Sequence, residues 1–145
     1  MRRSLAFALA FTVAMAVKAE PGEDELSRLD PDYAAGAKAI EAKDWTRAIS
    51  LLNSAALRDT RNPDIQNLLG YAYRNSGELP LAFKHYSRAL QLNPRHRGAH
   101  EYLGEAYLMV GNRAKAEEHL DALRHICLTG CPELAELERR VRDAR

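Results

Sequence analysis

From Pro31 onward the apolar residues recur at helical spacing, in runs separated by Gly, Pro, Asn and Asp. Asp30-Pro31 reads as an N-cap followed by a proline in the first helical turn, so a helix is predicted over the following PDYAAGAKAIEAK segment. Trp45 opens a second helix through Ala48, Ile49, Leu52 and Ala55-Ala56. The stretch Pro63 to Pro94 reads as two antiparallel helices broken at Gly77-Glu78, with Pro80 placed in a first turn where its missing N–H costs little. At the C-terminal end, Leu134, Leu137 and Val141 form a narrow apolar seam on an otherwise charged segment, the pattern of a helix that covers the end of a core.

The middle pair sets a period. Stepping 34 residues forward pairs Leu69 with Leu103, Gly70 with Gly104, Tyr73 with Tyr107, Gly77 with Gly111, Ala82 with Ala116 and His85 with His119. Stepping back pairs Gly70 with Gly36 and Ala82 with Ala48. Gly70 and Gly104 fall in helix interiors, where glycine costs about 1 kcal/mol relative to alanine, so a neighbouring helix backbone is expected to approach them closely. Gly77 and Gly111 fit the left-handed position that ends a helix.

The spacing Gln66-x2-Leu69-Gly70-x2-Tyr73, Ala82-x3-Tyr86 and Pro94 resembles the tetratricopeptide repeat in every slot but the leading Trp. The resemblance implies an all-α fold, a right-handed superhelical array of about three helix pairs with a C-terminal capping helix. The expected organisation is a signal peptide over 1–19, a linker over 20–30, repeats over 31–61, 62–95 and 96–127, and a capping helix over 131–145. The first repeat is degenerate. The third departs from the pattern in its second helix, where Leu120 and Leu123 replace an aromatic and a small residue.

Composition narrows the setting. A formal charge of +1, from 21 basic and 20 acidic residues, gives no global field toward nucleic acid. Met1-Arg2-Arg3 followed by the apolar run Leu5 to Val17 and small residues before Ala16 or Ala19 reads as a cleavable secretory signal, with an uncleaved anchor as the competing reading. Loss of Arg2, Arg3 and Lys18 on cleavage after Ala19 would turn the formal charge from +1 to −2. The expected product is exported to the periplasm and free of the membrane after cleavage.

In that compartment Cys127 and Cys131 are expected to form a disulfide, which at this loop length stabilises by on the order of 2 kcal/mol and would fix the last helix. A redox-active pair, or a metal site drawing on His125, Cys127 and Cys131, competes with that reading. His100 occupies the slot of the missing Trp, and His85 and His119 recur at the repeat period, which assigns them to architecture. No phosphate-binding glycine loop or nucleophile elbow is present in the sequence, so no enzymatic activity and no cofactor are expected.

The resemblance further implies a concave face, lined by the first helix of each repeat, that holds an extended or helical segment of a partner protein. By register that face comprises Tyr33, Ala37, Ile40 and Glu41, then Asn67, Tyr71, Arg74 and Asn75, then Glu101, Glu105 and Met109. The lysine and asparagine clamp with which some family members hold a C-terminal carboxylate has no counterpart, Arg74 being the one cation at the corresponding surface. A basic or amphipathic segment is therefore the expected partner. The string YLGEAYLMVGNRAKAEEHL with the trailing cysteine pair is also similar to small exported bacterial tetratricopeptide proteins.

Overall fold

The structure, a computed structural model, describes residues 30–144; the expected signal peptide and nearly all of the expected linker lie outside the described residues. Among these described residues seven helices follow one another: α1 (Pro31–Glu41), α2 (Trp45–Arg58), α3 (Pro63–Asn75), α4 (Leu79–Leu92), α5 (Arg97–Met109), α6 (Arg113–Ile126) and α7 (Pro132–Asp143). The described residues contain no strand. None of these helices is long and apolar enough to cross a membrane.

Local chemistry sets the helix ends. Asp30 accepts from the backbone N–H of Asp32 and Tyr33, and Asn62 accepts from those of Asp64 and Ile65. Asp44 and Asn112 cap α2 and α6 in the same way. Such caps satisfy N–H groups that have no intrahelical partner, each worth about 1 kcal/mol. At the other ends, Gly77 (φ 90°) and Gly111 (φ 74°) take the left-handed conformation.

In the first repeat the same slot holds Lys43, which is forced to φ 56°. A side chain there costs roughly 1 kcal/mol, partly offset by the greater freedom that glycine has in the unfolded chain. Lys43→Gly is therefore expected to raise the melting temperature by a few degrees, and a lower melting temperature would contradict the strain argument.

Each helix packs on its chain neighbour. The first helices also touch one another, α1 on α3, α3 on α5 and α5 on α7, whereas the second helices α2, α4 and α6 stay apart. The layer of first helices is thus continuous, and the outer layer is splayed. This arrangement makes a helical repeat solenoid with α1, α3, α5 and α7 along its inner side.

Its core is a chain of small clusters: Ala48, Leu52 and Leu69 at one end, Ala82, Tyr86, Leu103 and Ala106 in the middle, and Leu120, Leu123 and Leu137 at the other. The histidines fill repeated places between helices. His85 stacks on Tyr73 and donates to Gln66 Oε1 at 2.9 Å. One repeat later His119 stacks on Tyr107 and meets His100 Nδ1 at 3.0 Å. His100 Nε2 donates to the Pro94 carbonyl, which leaves its Nδ1 to accept from His119.

Two expectations change. The space left by the helix-interior glycines is filled by side chains rather than by a neighbouring backbone: the Tyr86 ring lies over Gly70, and the Leu137 methyls lie over Gly104. The last helix is also more than a cap. Leu137 stands 34 residues after Leu103, and α7 packs on both α5 and α6, the place of a fourth repeat's first helix. Cys127 and Cys131 are disulfide-bonded across the turn before it, with Cα atoms 5.7 Å apart.

Candidate functional site

The inner surface is richest where α3, α5 and α7 meet. Tyr71 and Tyr102 stand with ring centroids 4.9 Å apart, and Trp45, from the first turn of α2, meets Tyr71 edge-on at 6.1 Å. The Arg74 guanidinium lies 5.2 Å from the Tyr71 ring centre and 5.3 Å from that of Tyr102, within the range of cation–π attraction. Arg74 also donates to Glu105 Oε2 at 2.5 Å and to the Tyr102 carbonyl at 3.3 Å. Aromatic faces and a charged pair thus share one floor.

α7 extends that floor. Arg140 lies 3.4 Å from Glu105 and 2.8 Å from Glu136, so Glu105 sits between cations from two helices. Arg74, Asn75, Glu105, Leu108, Met109 and Arg140 border a cleft of about 520 Å³. The surface therefore holds a second cation beside Arg74, which the repeat register could not reveal because Arg140 lies past the third repeat.

The residues expected in the groove do not form one cluster. Tyr71, Arg74, Asn75, Glu105 and Met109 come together around this cleft. Tyr33 lines a different cleft, with Asp30, Arg58, Asn62 and Asp64, near the start of α1. Ile40 packs partly into the first core cluster, and Ala37 is half-buried beside the exposed Glu41 on the same helix. Asn67 is 7% exposed, with its Oδ1 buried and without a hydrogen-bond partner. Tyr102, Trp45 and Arg140 were not expected there. Tyr102 follows Glu101 by one residue, and comparing like slots between repeats could not show that it contacts a different slot, that of Tyr71.

Glu101 stands apart electrostatically. Burial, then Glu105 on its own helix and Glu133 and Glu136 on α7, push its carboxyl up to about 7, against an opposing pull from Arg74 on α3. His119 moves the opposite way, pushed down to about 4 by burial and then by His100 and Lys115, with Glu118 opposing.

The two shifts act on stability with opposite signs. Between about pH 7 and the ordinary carboxylate range, the folded protein holds a proton on Glu101 that the unfolded chain lacks, so acidification favours folding there. Below the ordinary imidazole range the unfolded chain takes up a proton that folded His119 refuses, so acidification disfavours folding. Glu101→Gln removes the first effect and leaves the second. Its melting temperature is expected to fall more steeply from about pH 7 to about pH 5 than that of the wild type, and parallel profiles would contradict this.

The cysteines take no part in this floor. Joined to each other, Cys127 and Cys131 are not thiolates, and the ring N–H of His125 donates to the Asp121 carbonyl at 2.7 Å. Among the described residues no group of three His, Cys, Asp or Glu side chains is placed to hold a metal ion.

Comparison with known proteins agrees with this architecture. An inactive TPR repeat-containing thioredoxin of Arabidopsis thaliana is 34% identical over 125 residues, covering 83% of this chain and 16% of that protein. The chain thus spans less than a fifth of that relative's length. The fold is similar to that of the Yersinia enterocolitica type III secretion chaperone SycD, solved with a peptide of the translocator YopD, at a TM-score of 0.70 and 20% identity over 81% of this chain and 89% of that one. The TPR2B domain of yeast Sti1, solved in a complex with pHsp70, is similar at a TM-score of 0.70 and 20% identity, covering 85% of this chain and 98% of that one. Residues 70–111 match the TPR repeat family model, and with the repeat register and seven-helix solenoid around them this chain is a tetratricopeptide-repeat protein.

Proposed function

We propose that this protein is a non-enzymatic interaction module that holds an extended or helical segment of a partner protein against the inner faces of α3, α5 and α7. The observation that carries the reading is the preformed floor of Tyr71, Tyr102 and Trp45 interleaved with the Arg74–Glu105 pair. Aromatic and arginine side chains are the types that dominate binding energy at protein interfaces, and here their geometry is fixed by packing. Two proteins of similar fold, one solved with a peptide of YopD and the other in a complex with pHsp70, support the same reading.

The proposed setting is the bacterial cell envelope, after export and signal cleavage. Its support is the Met1–Ala19 pattern in the sequence together with the disulfide, a bond that persists in oxidising compartments.

A photo-crosslinking residue tests the groove directly. Placed at Asn75, which is exposed beside the cleft, it is expected to yield partner adducts in the native envelope; placed at Leu57, 82% exposed on α2, it is expected to yield none. Combining Tyr71→Ala, Arg74→Ala and Glu105→Ala should abolish the Asn75 adducts. Adducts of equal strength from both positions, or adducts that survive the triple variant, would refute the assignment.

A further inference from the structure

Around the α5–α7 end of the groove every acidic side chain but one has a cation. Glu105 has Arg74 and Arg140, Glu133 has Arg97 at 3.6 Å, and Glu136 has Arg139 and Arg140. Glu101 lies among them, half-buried on the inner face of α5, and makes no ion pair or hydrogen bond among the described residues. It is a half-buried carboxyl one helical turn before Glu105 and without a cation of its own, an arrangement that a positive charge would relieve.

A second observation concerns the floor beneath. Tyr86 is 0% exposed, and its hydroxyl has no hydrogen-bond partner. The ring passes over Gly70 on α3 and lies 6.2 Å from Tyr102 on α5. The hydroxyl therefore reaches from α4 between those two helices, close enough to Arg74 and Glu105 to feel their charges. A buried hydroxyl without a partner is left unsatisfied at a cost to the fold, so the polar floor is not saturated from within.

We propose that this end of the groove receives a lysine or arginine side chain of the partner segment, its charged head at Glu101 and its methylene stem along the Tyr71–Tyr102 shelf. The proposal rests on the groove reading above and adds the partner's chemistry. An acidic segment would set its carboxylates beside Glu101, the one glutamate there without a cation. A bare metal ion would lack ligands, since no three acidic, Cys or His side chains converge among the described residues. A long cationic side chain meets both requirements, because its stem covers aromatic surface while its head stays polar. The bound cation also draws the proton off Glu101, so affinity should rise on going from about pH 6 to about pH 8.

The test pans a random linear peptide library displayed on phage against the full chain, against Glu101→Gln and against Tyr71→Ala/Arg74→Ala. Wild type is expected to enrich peptides with a conserved Lys or Arg near an apolar residue. Synthetic versions should bind Glu101→Gln at least tenfold more weakly and Tyr71→Ala/Arg74→Ala not measurably. Replacing the peptide's cation with norleucine should cost the same factor as Glu101→Gln and add nothing to it, a readout independent of how well the variant folds.

Enriched peptides that lose binding to Tyr71→Ala/Arg74→Ala but are indifferent to Glu101→Gln would overturn the cation assignment and leave the groove standing. Peptides indifferent to both variants would sink the groove reading and the proposal with it. Failure to enrich any Lys- or Arg-bearing family would overturn the proposal. So would a wild-type dimer in sedimentation that Glu101→Gln dissociates, which would make a second copy of the chain the occupant.

Discussion

Leu137→Ala is expected to lower stability by about 2–5 kcal/mol, a drop in melting temperature of roughly 10–20 °C. Leu137 is 0% exposed, and its two methyls lie 2.7 and 2.8 Å from where a Cβ on Gly104 would be. Only Val141 and the half-buried Leu134 share the apolar seam of α7 with it, so truncation removes a large part of what holds that helix. The loss should be local first. Hydrogen exchange is expected to show α7 amides opening well before those of α3 and α4, with the disulfide still tethering the chain at Cys131. Because Arg140 and Glu136 ride on α7, undocking also takes one cation from Glu105 and shortens the groove. Unchanged α7 protection in Leu137→Ala would mean that the helix is held by its surface ion pairs instead, which pairs of that exposure seldom achieve.

That role of α7 marks the boundary of what the sequence made legible. The helices, their caps and their turns could be read because the same physical requirement recurs every 34 residues: a left-handed position at Gly77 and Gly111, a small residue at Gly70 and Gly104, an apolar filler at Leu69 and Leu103. In α7 that signature shrinks to Leu137 alone, so the fourth first helix read as a cap. Of the candidate site, Tyr71, Arg74 and Glu105 could be picked out of the repeat register, whereas Trp45, Tyr102 and Arg140, and the cluster they complete, could not. Like slots in successive repeats suggested a row from Tyr33 to Met109, whereas contacts run diagonally, from Tyr71 to Tyr102 and from Arg74 to Glu105. Tertiary neighbours of that kind have no signature in spacing. The isolation of Glu101 is less visible still, since it depends on where the cations on three helices point.

Gly70→Ala should reverse its usual sign. In an ordinary helix interior the change would stabilise by about 1 kcal/mol, because alanine is the better helix former. Here the new Cβ would lie 2.5 Å from Cδ1 and 2.6 Å from Cε1 of Tyr86. The ring cannot yield cheaply: it is planar, fully buried, and packed among Ala82, Leu103 and Ala106. Overpacking of this kind costs about 1–3 kcal/mol, which outweighs the propensity gain. Gly104→Ala provides the comparison, since its clash is with the terminal methyls of Leu137, which can turn aside, and its melting temperature is expected to fall less. The displacement also has a functional consequence. Tyr86 stands 6.2 Å from Tyr102, so pushing its ring away from α3 moves the shelf on which Arg74 lies. Gly70→Ala should therefore weaken partner binding at temperatures where it is still fully folded, whereas Gly104→Ala, whose new Cβ meets Leu137 rather than Tyr86, should retain more of it. If Gly70→Ala melted at or above the wild-type temperature, the Tyr86 ring would have to have room to move, and the rigid floor on which the binding surface is built would be refuted with it.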